Sequence, residues 1–234
     1  MSQASRTFAL SLLLSGLPLL GCGPSIDAAA KTDIDRRVAA LVPSGLSFPA
    51  PTAFAPKALV AGQWTQHKQV DEKGDLSLVT YKIVGEEGGA HWVEIANEGY
   101  AGKTVTKILL AVGDRMNPHT MEIRAVKTKD MGGEVREYLG PVLQIPSSWQ
   151  SAVNTLAVAW QGLPQEEMSV VAGHFVGCLK ARTDVGWGFW HATSTTWMHP
   201  AVPINSLVKS VGIEKPTTVE LVGFGEVGAT SEIP

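Results

Sequence analysis

The chain has 234 residues and a formal net charge of −3 at pH 7; 44% of its residues are hydrophobic and 18% are charged. Nucleic-acid-binding domains usually carry a basic surplus, and acidic tails carry long runs of carboxylates. This sequence has neither feature, so we expect no nucleic-acid partner. The length suits one folded domain that follows a targeting segment.

The first 21 residues have the features of a secretory signal peptide. Arg6 is their one charged residue, and an apolar run at residues 8–20 contains Gly16 and Pro18. A helix that spans a bilayer needs about 20 apolar residues, so this run is too short and contains helix breakers. A basic start, a short apolar middle and a small residue before the cleavage point predict that residues 1–21 are removed.

The stretch "LLGC", residues 19–22, resembles the lipobox of bacterial lipoproteins. The resemblance implies that Cys22 receives a thioether-linked diacylglycerol, becomes the new N-terminus and attaches the protein to a membrane through acyl chains such as palmitate. Gly23 stands where an aspartate usually marks retention at the inner membrane, so the resemblance implies the outer membrane. With Cys22 acylated, Cys178 has no disulfide partner and is predicted to be a small buried hydrophobe.

Residues 22–57 are predicted to be a lipidated tether that contains one short helix. In "TDIDRRVAALV", apolar residues recur at helical spacing, Thr32 can cap the start, and Pro43 follows the end. The proline-rich residues 43–56 favour extended backbone with few hydrogen bonds. We therefore expect a single folded domain over residues 58–234.

From residue 58 onward the pattern predicts a mainly β domain. The runs "GQWTQHKQV", "LSLVTYKIV", "AHWVEIAN" and "KTVTKILLAV" are separated by short turns rich in glycine and acidic residues, which is typical of an antiparallel meander. Further candidate strands follow. One helix is predicted at residues 147–160, from the capping pair Ser147 and Gln150 and an apolar stripe. We expect a curved antiparallel meander sheet that forms a half-barrel and accepts this helix on its open face.

The second half of the sequence adds a family resemblance. The segments "VVAGHFVGCLKART", "WMHPAVPINSLVKSV" and "TVELVGFG" together resemble uncharacterised bacterial outer-membrane lipoproteins with a half-barrel related to the lipoprotein-carrier (LolA-like) fold. The resemblance implies a curved sheet that cups a hydrophobic cavity, used in relatives to hold acyl chains or peptides. It brings no catalytic residues. An anchored chain departs from a carrier that must leave the membrane, which favours a resident receptor, acceptor or sensor.

The sequence contains no recognisable catalytic or metal-binding motif. No two histidines have the helical spacing of zinc ligands, and no Cys-x-x-Cys pair or Gly-x-Ser-x-Gly elbow occurs. Cys178 lies in a predicted strand without an obvious activating base. We therefore expect no catalytic residue, no metal and no cofactor. The histidines concerned are His67, His91, His119, His174, His191 and His199.

The most distinctive chemistry in the sequence is aromatic. The stretch "GWGFWHATSTTW" contains Trp187, Phe189, Trp190 and Trp197, with glycines that remove side chains beside the rings. Two interpretations stay open. The rings pack in a sheet core, which is the commoner role of aromatic residues, or some of them line a cavity that binds an apolar ligand.

These features together predict a membrane-anchored envelope lipoprotein that is not an enzyme. It would bind a hydrophobic ligand, such as a lipid or acyl chain, or a protein partner in the periplasm. The alternative is an interaction or structural module without a small ligand, which would expose an apolar or aromatic patch. A periplasmic hydrolase that uses scattered acidic residues is a third hypothesis, for which the sequence offers no positive support.

Replacing Cys22 with serine removes the thiol that would accept the lipid. The Cys22→Ser variant should lose palmitate labelling and move from the membrane to the soluble envelope fraction, because multiple acyl chains provide durable anchoring. Metabolic labelling and cell fractionation measure the two effects, with Cys178→Ser as the matched control that stays labelled and membrane-bound. Labelling that persists in Cys22→Ser would contradict the assigned anchor.

Overall fold

The computed structural model describes residues 25–113, 121–139, 163–187 and 190–234. These residues form a mainly β protein with one helix and an open, curved sheet of 12 strands. The fold class predicted from the sequence is confirmed. The second predicted helix, at residues 147–160, lies outside the described residues.

The elements of the described residues begin with the helix and continue with the strands. Helix α1 spans Ala28–Ala39. The strands are β1 Ser47–Phe48, β2 Trp64–Val70, β3 Leu76–Glu87, β4 Ala90–Gly99, β5 Gly102–Val112, β6 Met121–Lys129, β7 Val135–Leu139, β8 Gln165–Val170, β9 Gly173–Trp187, β10 Trp190–Met198, β11 Leu207–Gly212 and β12 Thr218–Gly225.

Strands β2 to β7 form an antiparallel meander in which each strand pairs with the next one in the chain. The turn between β3 and β4 is shorter than the predicted turn at residues 85–89. Strand β3 continues to Glu87, and Gly88 and Gly89 make the turn with φ angles of 55° and 73°. Two successive positive φ angles give a tight hairpin turn, a conformation for which glycine is suited because it has no Cβ.

Strands β9 to β12 form a second antiparallel meander, and β12 pairs with β2. This pairing joins the two meanders into one sheet and places β12 in its interior. At the far side, β8 pairs with β9 in antiparallel orientation, while β1 pairs with the start of β9 in parallel. Neither β1 nor the β12–β2 pairing follows from local sequence patterns, because both join residues that are far apart in the chain.

Helix α1 begins one turn earlier than predicted, because Asp27 rather than Thr32 caps it. The Asp27 carboxylate accepts hydrogen bonds from the backbone N–H groups of Ala29 and Ala30, at 2.8 and 2.9 Å. Aspartate is a favourable N-cap and alanine is the best helix former, so the helix starts at Ala28. No helix within the described residues is long and apolar enough to cross a bilayer.

Helix α1 lies against the end of the first meander. Ile34 is buried. The Arg37 guanidinium donates to Glu98 in β4 at 2.7 Å, and the Tyr100 hydroxyl donates to Asp35 at 2.6 Å. This described part of the predicted tether therefore contacts the sheet. The boundary between tether and domain stays a prediction.

The described core contains two large hydrophobic clusters. The first lies on one face of the first meander and includes Tyr81 and Ile83. The second surrounds Phe175, which is fully buried and stacks on Phe48 with 4.5 Å between ring centroids. Cys178 belongs to the second cluster, and burial raises the pKa of its thiol to about 12. Its predicted role as a small buried hydrophobe is confirmed.

Truncating Phe175 should be costly, because the ring fills the centre of the second cluster. We expect Phe175→Ala to lower the free energy of unfolding by about 3–5 kcal/mol, the range for large aromatic side chains removed from a core. Urea unfolding measures the change. Val227→Ala, at a side chain that is 77% exposed, is the control and should change stability little. A Phe175→Ala variant as stable as the control would contradict the central position of this ring.

Candidate functional site

The predicted site residues fall largely outside the described part of the chain. Cys22 and Phe189 lie outside the described residues. Trp187 and Trp190 are paired in register where β9 turns into β10, but their side chains are outside the described part as well. The predicted lipid attachment and the predicted aromatic cavity wall therefore stay predictions.

Trp197 is the member of the aromatic segment whose surroundings are described. It is half-buried at the edge of the second cluster. Its indole N–H donates to Glu166 at 2.8 Å, and the Lys180 ammonium binds the same carboxylate at 2.8 Å and lies 5.5 Å from the ring centroid. The ring is thus fixed by a hydrogen bond and a cation–π contact. This geometry fits packing at the edge of a core.

Two of the described histidines, His67 and His199, are buried. The Nε2–H of His67 donates to the Leu207 carbonyl at 3.1 Å, which leaves Nδ1 as the unprotonated nitrogen of a neutral ring. Burial lowers the pKa of His67 to about 4. Within the described residues, no three histidine, cysteine or acidic side chains lie close enough to share a metal ion.

The turn beside His67, between β10 and β11, has a strained backbone. Ile204 and Ser206 have φ angles of 62° and 57°, which are unfavourable for a β-branched residue in particular. Among the described residues, the Nδ2 atom of Asn205, the Ser206 hydroxyl and Nδ1 of His67 are buried without a hydrogen-bond partner. Ordered water commonly satisfies such groups, so they do not by themselves define a ligand.

A row of charged side chains crosses one face of the first meander. The register places Lys82 of β3 opposite Glu94 of β4, Glu94 opposite Lys107 of β5, and Lys107 opposite Lys127 of β6. Residues directly opposite in antiparallel strands point to the same face. We call these four residues the charged strip.

Residues 226–234, which we call the strap, cross the charged strip. They follow β12, and because β12 pairs with β2, the chain leaves the sheet beside the strip. The strap first contacts the segment before β2, where the Ala229 N–H donates to the Gly62 carbonyl at 2.9 Å. Lysine ammonium groups then donate to strap carbonyls in chain order: Lys82 to Thr230 at 3.3 Å, Lys107 to Ile233 at 2.6 Å and Lys127 to Pro234 at 3.1 Å.

Glu94 lies at the centre of this site, and its carboxylate is fully buried under the strap. It pairs with Lys82 at 3.1 Å and accepts the backbone N–H groups of Glu232 and Ile233 at 2.9 and 3.3 Å. The Ser231 hydroxyl lies 2.8 Å away. A buried carboxylate is costly unless it is paired and hydrogen-bonded. The strap supplies three of these partners, so the burial of Glu94 and the position of the strap depend on each other.

Two side chains of the strap add specific contacts. The Glu232 carboxylate binds Lys82 at 2.7 Å and Lys103 at 2.6 Å. Ile233 is fully buried in a small apolar cluster with Ala96. The strap is therefore held by its backbone, by one ion-pair network and by one apolar anchor.

Burial and pairing act in opposite directions on the pKa values at the strip. Burial acts to raise the pKa of Glu232, but hydrogen bonds from Lys103 and Lys82 outweigh it and lower that pKa. Burial acts to lower the pKa of Lys82, but hydrogen bonds to Glu232 and Glu94 outweigh it and raise that pKa. Both partners are therefore charged at neutral pH. At Lys107 burial dominates and lowers the pKa.

No local sequence pattern points to the charged strip. Its members occupy polar positions within β-rich runs such as "VTYKIV" and "HWVEIA", where a lysine or glutamate ordinarily faces solvent. The row exists only after the register of four strands is known. The sequence signal available in hindsight is the strap itself, where "SEIP" combines an acidic and an aliphatic residue beyond the last strand.

No family model and no curated protein matches this chain. A solved protein from Bacteroides fragilis, described as exported and as having a YmcC-like fold, is 11% identical; the match covers 74% of this chain and 99% of that chain with a TM-score of 0.36. A protein from Parabacteroides distasonis, described as a lipoprotein, is 13% identical, with coverage of 71% and 96% and a TM-score of 0.34. Similarity at these TM-scores assigns no function. Neither is described as a lipoprotein carrier, so the LolA-like resemblance stays a prediction.

The buried His67 predicts a pH-dependent stability. The folded-state pKa of about 4 lies below the ordinary value of 6.5, so the unfolded chain binds the proton first as the pH falls. Stability from this group is present above pH 6.5 and is lost as the pH falls toward 4, with a loss of about 2 kcal/mol between pH 7 and 5. His67→Gln, which keeps an N–H donor for Leu207, should remove that part of the loss.

Urea unfolding at pH 7 and pH 5 measures the two losses. His174→Gln, at a half-exposed histidine, is the matched control and should lose as much stability as the parent chain. Equal losses in the parent and in His67→Gln would show that His67 does not titrate in this way.

Proposed function

We propose that the protein is a lipoprotein of the bacterial envelope, attached through Cys22 to the outer membrane, and that its sheet domain binds a partner without catalysing a reaction. The observation that carries this proposal is the lipobox-like "LLGC", which directly precedes the folded residues. A signal-type segment before Cys22 and a capped helix shortly after it suit a cysteine that becomes the first residue of the mature chain.

The spacing between Cys22 and the folded domain supports a resident role. Asp27, five residues later, donates its backbone N–H to the Tyr100 carbonyl beyond β4 at 2.8 Å. Five residues span at most about 17 Å. An acylated Cys22 therefore holds the turn between β4 and β5 close to the bilayer. A domain held this closely acts at its own membrane rather than as a shuttle.

A protein segment is the partner that the site favours. The charged strip already holds an extended segment, the strap, largely through backbone groups. The hydrophobic-ligand alternative depends on Trp187, Phe189, Trp190 and Trp197 as cavity walls and stays a prediction. A structural module without a small ligand and a hydrolase likewise stay predictions, without a specific observation in their favour.

Mature protein recovered from membranes distinguishes a protein partner from a lipid. We expect lysine-directed cross-linking in cells, followed by mass spectrometry, to join Lys103 and neighbouring lysines to one envelope protein. Native mass spectrometry of the same preparation should show no stoichiometric lipid beyond the covalent anchor. The Cys22→Ser form is the matched control, in which the cross-link should weaken because the domain has left the membrane.

Two results would contradict the protein-partner assignment. One is the absence of any cross-linked protein. The other is a stoichiometric acyl lipid that disappears in Trp197→Ala, which would instead support the aromatic residues as walls of a ligand cavity.

A further inference from the structure

We propose that the charged strip is a binding site for an extended segment of an envelope protein in which an acidic residue precedes an aliphatic one, and that the strap is its displaceable intramolecular occupant. This inference rests on the proposed binding function and specifies its partner. The strap acts as an internal competitor that keeps the site closed until the partner segment replaces it.

Most contacts between strip and strap are made to the strap backbone. The Glu94 carboxylate accepts the N–H groups of Glu232 and Ile233, while Lys82, Lys107 and Lys127 donate to strap carbonyls. Every peptide carries these groups, so such contacts fix an extended chain without requiring its particular sequence. Another extended segment can therefore satisfy the same strip.

Two side-chain contacts define which segment fits. At the position of Glu232, Lys82 and Lys103 converge on one carboxylate from two strands. At the position of Ile233, the aliphatic side chain is fully buried in a cluster with Ala96 and Val105. An acidic residue followed by an aliphatic one is therefore the pattern that the site selects.

The uncovered strip would be cationic on a chain of net negative charge. Three lysines of the strip and the adjacent Lys103 surround one carboxylate, Glu94, whereas the whole chain carries a formal charge of −3. An acidic segment is thus attracted to this face, and the attraction weakens with added salt. Charge complementarity therefore favours an acidic peptide as the occupant.

The strap can leave without breaking a strand. It starts after the last residue of β12, and Val227 and Gly228 are exposed. Gly228 has a φ of 100° with open space around the position of a Cβ, so the backbone has room to turn there. Removal of the strap gives Glu94 and Lys107 access to water instead of leaving them unpaired in an interior, which limits the cost of opening.

Cleavage within the exposed part of the strap tests the proposal. A protease site is inserted between Val227 and Gly228 in the full mature chain carrying Cys22→Ser, so the result does not depend on the anchor. After cleavage, residues 228–234 should remain bound in native mass spectrometry and should exchange for the labelled peptide GATSEIP, as followed by fluorescence anisotropy. The uncleaved parent chain should bind this peptide at least about tenfold more weakly, since its own strap competes at high effective concentration.

Peptide variants separate specific recognition from general adhesion. A peptide with lysine at the position of Glu232 should bind about tenfold more weakly than GATSEIP, because it places a cation against Lys82 and Lys103. A peptide with alanine at the position of Thr230, whose side chain is exposed, is the matched control and should bind like the parent peptide. Equal binding of all three peptides would overturn the proposed selectivity.

Failure to exchange would overturn the proposal as a whole. If the insertion disturbs folding, as judged by circular dichroism, the uncleaved Ile233→Asp chain replaces it, because a carboxylate in the apolar cluster loosens the strap. A loosened strap, shown by hydrogen exchange at β4 and β5, without peptide binding would contradict the site. A swapped dimer of uncleaved chains would contradict a separate protein as the occupant. These outcomes leave palmitate labelling at Cys22 and cellular cross-linking unaffected, so they are distinguishable from failure of the proposed function.

Discussion

The antiparallel pairing of β12 with β2 is the contact on which the rest of the structure depends. It joins two meanders that are each local in sequence, and it places the last strand in the interior of the sheet. The glycines of β12 allow this pairing, because the Trp64 ring lies only 2.6 Å from where a Cβ of Gly225 would stand. The glycine-rich "GFGEVG" therefore has a packing explanation. The same pairing makes the chain leave the sheet beside the charged strip.

Local patterns predicted the strands of the first meander well, because each pairs with its neighbour and short turns connect them. The errors concern chemistry at element ends. The first helix begins at the Asp27 cap rather than at Thr32, and β3 extends through acidic residues to the turn at Gly88 and Gly89. Capping strength and positive φ decided those boundaries, and both weigh more than hydrophobic periodicity at the ends of elements.

The site was less accessible to prediction than the fold, since its residues are brought together by register. Glu94 lies in a strand run where a solvated glutamate is the ordinary expectation, yet it is fully buried because residues 231–233 cover it. Its partners come from β3, from β5 beside it and from a segment 137 residues further along the chain. No window of local sequence contains these groups. The aromatic segment, in contrast, is conspicuous locally, and Trp197 has an ordinary place at the edge of a core.

The proposed anchor and the charged strip together limit where a partner can come from. Glu94 and Tyr100 are six residues apart, or about 20 Å along an extended strand. With at most about 17 Å between Cys22 and the helix cap, the strip lies within roughly 40 Å of the bilayer. The occupant crosses the strands of β2 to β6 instead of extending them. A segment lying across the sheet so near the membrane favours a partner held at the same membrane.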